Sequence, residues 1–121
     1  MKAAALLLFV LPTAATASGL DCIFTTICSP QTDCQTHPGV PFSFESNLGN
    51  LSFSVENQQI TGSPLSHLAT PAMGALFQTS DTSTVLLTIA ANRAAVMTQQ
   101  DVSATGGVRS VSYFGSCEPV A

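Results

Sequence analysis

The four cysteines are the side chains of this chain whose spacing says most about chemistry. Five residues separate Cys22 from Cys28, five more separate Cys28 from Cys34, and Cys117 lies near the C-terminus. Structural zinc sites normally use C-x2–4-C spacings and redox proteins use C-x-x-C. Neither spacing occurs here, so we expect paired sulfurs rather than a metal centre or a redox pair.

The positions of the cysteines favour one of the three possible pairings. We predict a Cys28–Cys34 bridge, which would close the proline-containing loop 29–33, and a Cys22–Cys117 bridge, which would tie the two ends of the domain together. The alternative is Cys22–Cys28 with Cys34–Cys117. On the loop-entropy model the long bridge contributes about 4–5 kcal/mol and the short one about 2 kcal/mol.

The two histidines and the serines do not form a recognisable catalytic or metal-binding motif. His37 and His67 each lie near a proline in a predicted loop, and no H-x-x-H, H-x-H or G-x-S-x-G is present. We therefore expect both histidines to be exposed or structural. A small hydrolase that uses His37 or His67 is the weakest of three function hypotheses.

Glu45 and Glu56 fall on the polar faces of two adjacent predicted strands. A glycosidase would need two carboxyl groups facing each other across a cleft, and one hypothesis is that these two come close together. The interpretation we prefer is that both are solubilising edge charges. The pair Gly106 and Gly107 is read as a hairpin turn rather than a phosphate-binding loop.

The elements that must position these groups are strands, because apolar residues recur with a period of two. Phe42 and Phe44 alternate with polar neighbours, as do Leu51, Phe53 and Val55, and turn-forming residues 47–50 lie between the two runs. This pattern predicts a β-hairpin with one apolar face and one polar face.

Weaker strand patterns cover residues 72–79, with Gly74 as a candidate bulge, and residues 84–90, 94–99 and 108–115. A tight turn is predicted at residues 91–93, and the last three strands form a meander. The prolines are assigned to loops, and residues 63–67 to one helical turn. Six or seven short strands predict a single all-β domain, a small antiparallel β-sandwich or partly open β-barrel stapled by two disulfides.

The first 17 residues are expected to be a signal peptide, and residues 18–121 the single domain. Lys2 precedes an apolar run of nine residues, 3–11, and Ala15 and Ala17 fit the small positions of a cleavage site. A nine-residue helix rises about 14 Å, which is too short to cross a bilayer. We therefore predict a periplasmic or secreted protein, in which disulfides are the expected state of the cysteines.

The charge left after residue 17 excludes several classes of partner. Two arginines, Arg93 and Arg109, stand against seven carboxylates, and there is no Lys. Such a domain has no basic patch for nucleic acid or for an acidic membrane surface. A hydrophobic fraction of 45% also argues against a disordered chain. We expect no metal and no cofactor, and any partner to be another exported protein.

The chain resembles small uncharacterised periplasmic proteins of alphaproteobacteria. The features that carry the resemblance are the signal, the Cys22, Cys28 and Cys34 run, and the segment 113–117, Tyr-Phe-Gly-Ser-Cys. The resemblance implies an exported, disulfide-bonded β fold and no known activity. The chain is also similar, more weakly, to periplasmic inhibitors of C-type lysozyme, although segments 61–63 and 105–108 lack the tyrosine of their Ser-Gly-x-x-Tyr loop.

These observations lead to two further function hypotheses. The leading one is a non-enzymatic structural or binding module, because a well-patterned β scaffold carries no catalytic constellation. The second is a periplasmic protein inhibitor of a hydrolase that acts through an exposed loop, with residues 62–71 and 105–107 as candidates.

Overall fold

The computed structural model describes residues 19–47, 50–65, 68 and 72–120. Within these ranges nine strands form one antiparallel sheet that curls into a nearly closed barrel. The strands are β1 (Gly19–Ser29), β2 (Thr32–Asn47), β3 (Asn50–Val55), β4 (Gln58–Thr61), β5 (Ser63–Pro64), β6 (Met73–Ser80), β7 (Ser83–Ile89), β8 (Ala94–Val102) and β9 (Val108–Val120). The predicted all-β class is confirmed, in its partly open barrel form.

The strand order is β4-β3-β2-β1-β9-β8-β7-β6-β5, and the two ends of this order meet at Gly62. The backbone N–H of Gly62 donates to the Leu51 carbonyl at 2.8 Å, and the next residue, Ser63, pairs with Leu76 of β6. One short segment therefore leaves β3 and joins β6, which closes the sheet. A Cβ at Gly62 would lie 2.6 Å from the ring of Phe77, so a glycine suits this corner.

Most of the predicted strands are confirmed. Glu45 pairs with Ser52 and Asn47 with Asn50 in the predicted hairpin. The strands predicted in the second half of the chain correspond to β6, β7, β8 and β9, and the last three form the expected meander. The predicted turn at 91–93 is also present, and the Asn92 Oδ1 accepts a hydrogen bond from the Ala94 N–H at 3.0 Å.

Several local predictions are wrong. Pro38 and Pro41 lie in β2, Pro64 lies in β5 and Pro119 in β9, rather than in loops. Pro38 is tolerated because it falls in a bulge, between the pairs Phe24↔Val40 and Thr26↔Thr36, where no ladder hydrogen bond is needed.

The predicted helical turn at residues 63–67 is wrong at its start, because Ser63 and Pro64 form β5. Residues 66 and 67 lie outside the described ranges. The predicted bulge at Gly74 is also wrong, because Gly74 pairs with Thr88 in unbroken register. The irregularity of β6 falls later, between Gln78 and Ser80.

The core lies inside the barrel and contains two kinds of region. One group of buried residues belongs to the hydrophobic core without lining the cavity, and we call it the packed half; its members are Leu20, Cys22, Phe44, Leu51, Ala75, Phe77, Leu87, Ile89, Ala95 and Cys117. The other inward residues surround a cavity, and we call that region the open half. Phe44 and Phe77 lie in contact across the barrel, with ring centroids 5.6 Å apart.

Candidate functional site

The cysteines form the two predicted bridges, Cys22–Cys117 and Cys28–Cys34, and the alternative pairing is wrong. Cys22 and Cys117 lie directly opposite each other on β1 and β9 and are almost fully buried. The shorter bridge spans the β1–β2 hairpin close to its turn. Disulfides of this kind persist in an oxidising environment such as that outside the cytoplasm.

The structure does not assemble the histidines or glutamates into a site. His37 is half-buried in the bulge of β2, and His67 lies outside the described residues. Glu45 lies opposite Ser52 of β3. Glu56 lies in the turn after Val55, beyond the end of β3, so the two glutamates are not neighbours across the strands. Where the chain is described, no three His, Cys, Asp or Glu side chains lie close enough together to hold a metal ion.

The feature that sequence reasoning missed is a cavity of about 540 Å³ in the open half of the barrel. Seven of the nine strands contribute side chains to its wall: Phe24, Val40, Phe42, Phe53, Val55, Thr79, Ser80, Ser83, Val85, Met97, Gln99 and Tyr113. The cavity lies toward the end of the barrel where β7 begins and β8 ends. Its volume falls in the range of small-molecule pockets, about 300–1,000 Å³.

The wall of the cavity is polar on one side only. Strands β1, β2 and β3 contribute only phenylalanine and valine side chains, whereas the hydrogen-bonding side chains of the wall come from β6, β7, β8 and β9: Thr79, Ser80, Ser83, Gln99 and Tyr113. A molecule in this cavity would therefore meet a broad apolar surface and one confined patch of hydrogen-bonding groups.

Ser83 is the most unusual member of that patch. It is only 8% exposed, and its Oγ makes no hydrogen bond of ordinary length and angle with the described residues. Buried hydroxyls normally have a partner. The Ser83 hydroxyl nevertheless lies close enough to the Asp101 carboxylate, its neighbour in register on β8, to act on that group.

The polar patch lowers the pKa of the Asp101 carboxyl. The Ser83 hydroxyl is the main cause, and the Gln99 amide and the Arg109 guanidinium act in the same direction, while loss of solvation opposes them. The Gln99 Nε2 donates to both carboxylate oxygens at 3.4 Å. Asp101 is therefore anionic at neutral pH, at the edge of the cavity.

The sequence contains a signal for this patch, namely polar residues at inward strand positions, but the pairing of the strands must be known before that signal can be used. Thr79 follows Phe77 at an inward position, and Gln99 follows Met97 in the same way, while Ser83 precedes Val85. Polar residues thus replace apolar ones at the adjacent ends of three inward faces. The sequence shows each replacement singly, and only the strand register shows that they meet.

The two loops considered for inhibition have different structures. Gly62 is buried at the barrel corner rather than exposed in a loop, and residues 66, 67 and 69–71 lie outside the described part of the chain. Residues 105–107 belong to an exposed turn between β8 and β9. There the Ser103 N–H donates to the Gly107 carbonyl at 2.7 Å, and Val108, 66% exposed, follows the turn.

No protein-family model matches the chain, and none of the curated proteins or solved structures compared with it matches either. In the described part of the chain, no helix is long and apolar enough to cross a membrane. Any inference about function therefore depends on the cavity and the turn themselves.

Proposed function

We propose that this protein is a non-enzymatic, exported binding module that holds a small, largely apolar molecule in the open half of its barrel. The observation that carries the proposal is the cavity of about 540 Å³ with its apolar walls. Small β-barrels are wide enough either to fill their interior with side chains or to hold one ligand. This barrel does the first in its packed half and the second in its open half.

The contrast between the halves supports binding over a merely loose core. Protein interiors are normally packed to the density of organic crystals. In the packed half Phe77 and Leu87 are fully buried, and Phe44 and Phe77 lie with ring centroids 5.6 Å apart. An apolar ligand in the cavity would make dispersion contacts with the side chains of its wall. Burial of apolar surface contributes about 25 cal/mol per Å² to such binding.

Export of the protein is part of the proposal. The two disulfides are typical of proteins that fold outside the cytoplasm, and the N-terminal pattern predicts a signal peptide that ends at Ala17. Expression in a bacterial host, followed by cell fractionation and N-terminal sequencing, would test this. We expect the mature protein in the periplasm, beginning at Ser18. Recovery of unprocessed chain in the cytoplasm would contradict it.

Binding of a polarity-sensitive dye tests the cavity directly. Because the chain contains no Trp, the fluorescence of N-phenyl-1-naphthylamine can be read with little background. We expect saturable binding with a Kd of roughly micromolar, or about −8 kcal/mol. A Val85→Phe variant, which places a ring in the cavity, should weaken binding at least about tenfold, since burial of the dye needs that space.

Leu86→Phe is the matched control for that variant. Leu86 is the next residue on β7, it is exposed on the outer face, and it does not line the cavity. We expect Leu86→Phe to bind the dye as the wild-type protein does. An equal loss in both variants, or no binding by the wild-type protein, would overturn the proposal.

A second candidate function is inhibition of a hydrolase through the β8–β9 turn. The supporting observation is that Val102 and Val108, both more than half exposed, flank a turn held by hydrogen bonds to Ser103. A rigid turn with apolar flanks is suited to a complementary groove, because little conformational freedom is lost on binding.

Lysozyme is the first enzyme on which to test inhibition. We expect the protein to inhibit C-type lysozyme if this candidate is right, and Val108→Asp to abolish the inhibition because it places a charge in the contact. Absence of inhibition by the wild-type protein, together with failure to retain any hydrolase from periplasmic extract, would remove this candidate.

A further inference from the structure

The polar patch of the cavity contains hydrogen-bond acceptors whose own donor groups are already engaged. The Thr79 hydroxyl donates to the Ser83 carbonyl at 3.3 Å, and the Gln99 amide N donates to the Asp101 carboxylate. The oxygen lone pairs of Thr79 and the carbonyl oxygen of the Gln99 side chain remain as hydrogen-bond acceptors for a ligand. A ligand group that donates a hydrogen bond is therefore matched by these two side chains.

Ser83 adds an independent observation, because its hydroxyl is buried at the cavity wall and makes no completed hydrogen bond with the described residues. A hydroxyl can donate and accept. Because the Asp101 carboxylate is the nearby anion on the neighbouring strand, the hydroxyl proton is drawn toward it, and the Ser83 oxygen is left as an acceptor. Because Ser83 lines the cavity, this oxygen lies at its wall, where a bound head group can reach it.

The charges around the cavity disfavour an anionic ligand. No Lys or Arg is among the described residues of its wall. Arg93 lies on the β7–β8 turn and is paired with Glu118 at 3.6 Å. Arg109 lies opposite Asp101 in register, so the carboxylate offsets its field. A carboxylate or phosphate entering the cavity would lose solvation and find no cation in the wall to replace it.

We infer that the ligand of the cavity has an apolar body and a hydrogen-bond-donating, non-anionic head group, a hydroxyl or an ammonium, which is held by Ser83, Gln99 and Thr79 beside Asp101. This inference rests on the proposed function and names the class of molecule. It makes Ser83 a specificity-determining residue, since its oxygen accepts a hydrogen bond from a ligand whose head group is a donor.

A matched series of ten-carbon compounds tests the inference. Decanol, decylamine and decanoate each contain ten carbons, have apolar chains that differ by at most one carbon, and carry different head groups. Each can be measured by displacement of N-phenyl-1-naphthylamine at pH 8. We expect decanol and decylamine to bind at least about tenfold more tightly than decanoate, which is the effect of one well-placed hydrogen bond.

Substitution of Ser83 locates the preference. Ser83→Ala should weaken decanol binding about tenfold while leaving the affinity for the dye, which does not donate at this position, within about twofold. Ser52→Ala is the control, because Ser52 is also a buried serine but lies outside the cavity, where its Oγ accepts a hydrogen bond from Gln59. Ser52→Ala should keep the wild-type affinity for decanol.

Asp101→Asn tests the charge argument separately. Removal of the carboxylate should strengthen decanoate binding and so narrow the gap between decanoate and decanol. If Ser83→Ala fails to fold, as judged by circular dichroism and urea unfolding, Ser83→Cys gives the same test, because a thiol keeps the size of the side chain but is a weak hydrogen-bonding group.

The possible results separate the inference from the proposed function. If neither the dye nor any ten-carbon compound binds, both are overturned. If the dye and all three compounds bind with equal affinity, or if decanoate binds most tightly, the cavity is a binding site and the head-group inference is wrong. An unchanged affinity of Ser83→Ala for decanol would also overturn the role given to Ser83.

Discussion

The packed half and the open half of the barrel are built from the same strands but contain different side chains. In the packed half, Cys22 and Cys117 bring β1 and β9 to a Cα–Cα distance of 4.0 Å, and Phe44 and Phe77 meet across the interior. In the open half, the inward positions of β6 and β7 carry Thr79 and Ser83. Side chains this short leave space between the facing walls, and that space is the cavity.

The number of strands sets the diameter of a barrel, whereas the inward side chains decide whether a ligand can enter. It also separates stability from function in this molecule. The packed half supplies most of the buried core residues and the long disulfide. The open half supplies the polar patch and the space for a ligand. Variants that act on one half should therefore leave the other largely unchanged.

The largest expected effect follows from removal of the long bridge in the packed half. Cys22→Ala with Cys117→Ala should lower the free energy of unfolding by about 4–5 kcal/mol, because a bridge between residues 95 positions apart strongly restricts the unfolded chain. The matched double variant, Cys28→Ala with Cys34→Ala, removes a bridge between residues only six positions apart. It should lower the free energy of unfolding by about 2 kcal/mol. Urea unfolding measures both, and equal losses would contradict the assignment.

A smaller loss is expected at the corner that closes the barrel. Gly62→Ala would place a methyl group against the Phe77 ring and should cost about 2–3 kcal/mol, since overpacking forces the ring or the backbone to move. Gly107→Ala is the control, because the added methyl there makes only an ordinary contact at 3.5 Å with the Ser103 Oγ. Thermal unfolding measures both variants. Equal midpoints for the two would show that there is room for a methyl group at Gly62.

A pair of enlargements compares the two halves directly. Ala75→Leu adds volume in the packed half and should cost about 1–2 kcal/mol. Val85→Ile adds one methylene group to the cavity wall and should change stability by less than about 0.5 kcal/mol, because the space to receive it is already present. Chemical denaturation distinguishes them, and a larger loss for Val85→Ile would mean that the open half is as tightly packed as the other.

The smallest effect concerns the charge at the cavity edge. The pKa of Asp101 is lowered from its ordinary value of 3.8 in the folded protein, so the folded state favours the ionised form. This contribution is fully present above pH 3.8 and is lost as the pH falls through the lower, folded-state pKa. Between about pH 5 and pH 2, wild-type stability should therefore fall more than that of Asp101→Asn. If the free energy of unfolding changed with pH in the same way in both proteins, the lowered pKa of Asp101 would be contradicted.

The elements that could be predicted from the sequence were those formed by segments close together in the chain. Alternation around Phe42 and Phe53 predicted the hairpin, and turn residues predicted the meander of the later strands. Strand β1 was not anticipated, although its inward residues Leu20, Cys22 and Phe24 alternate with exposed neighbours. Most of β2 was assigned to loops on account of its prolines.

The sequence by itself determined the class of fold, the presence of paired sulfurs and the lack of a basic surface, because each depends on composition, spacing or a period of two. It favoured one pairing of the four cysteines, and the structure excluded the alternative. Only the tertiary structure decided that Ser83, Gln99 and Thr79 share one patch, and that Gly62 closes the sheet. Those features depend on strand register. A shift of one residue would move every side chain to the opposite face, and no local pattern specifies the register between distant strands.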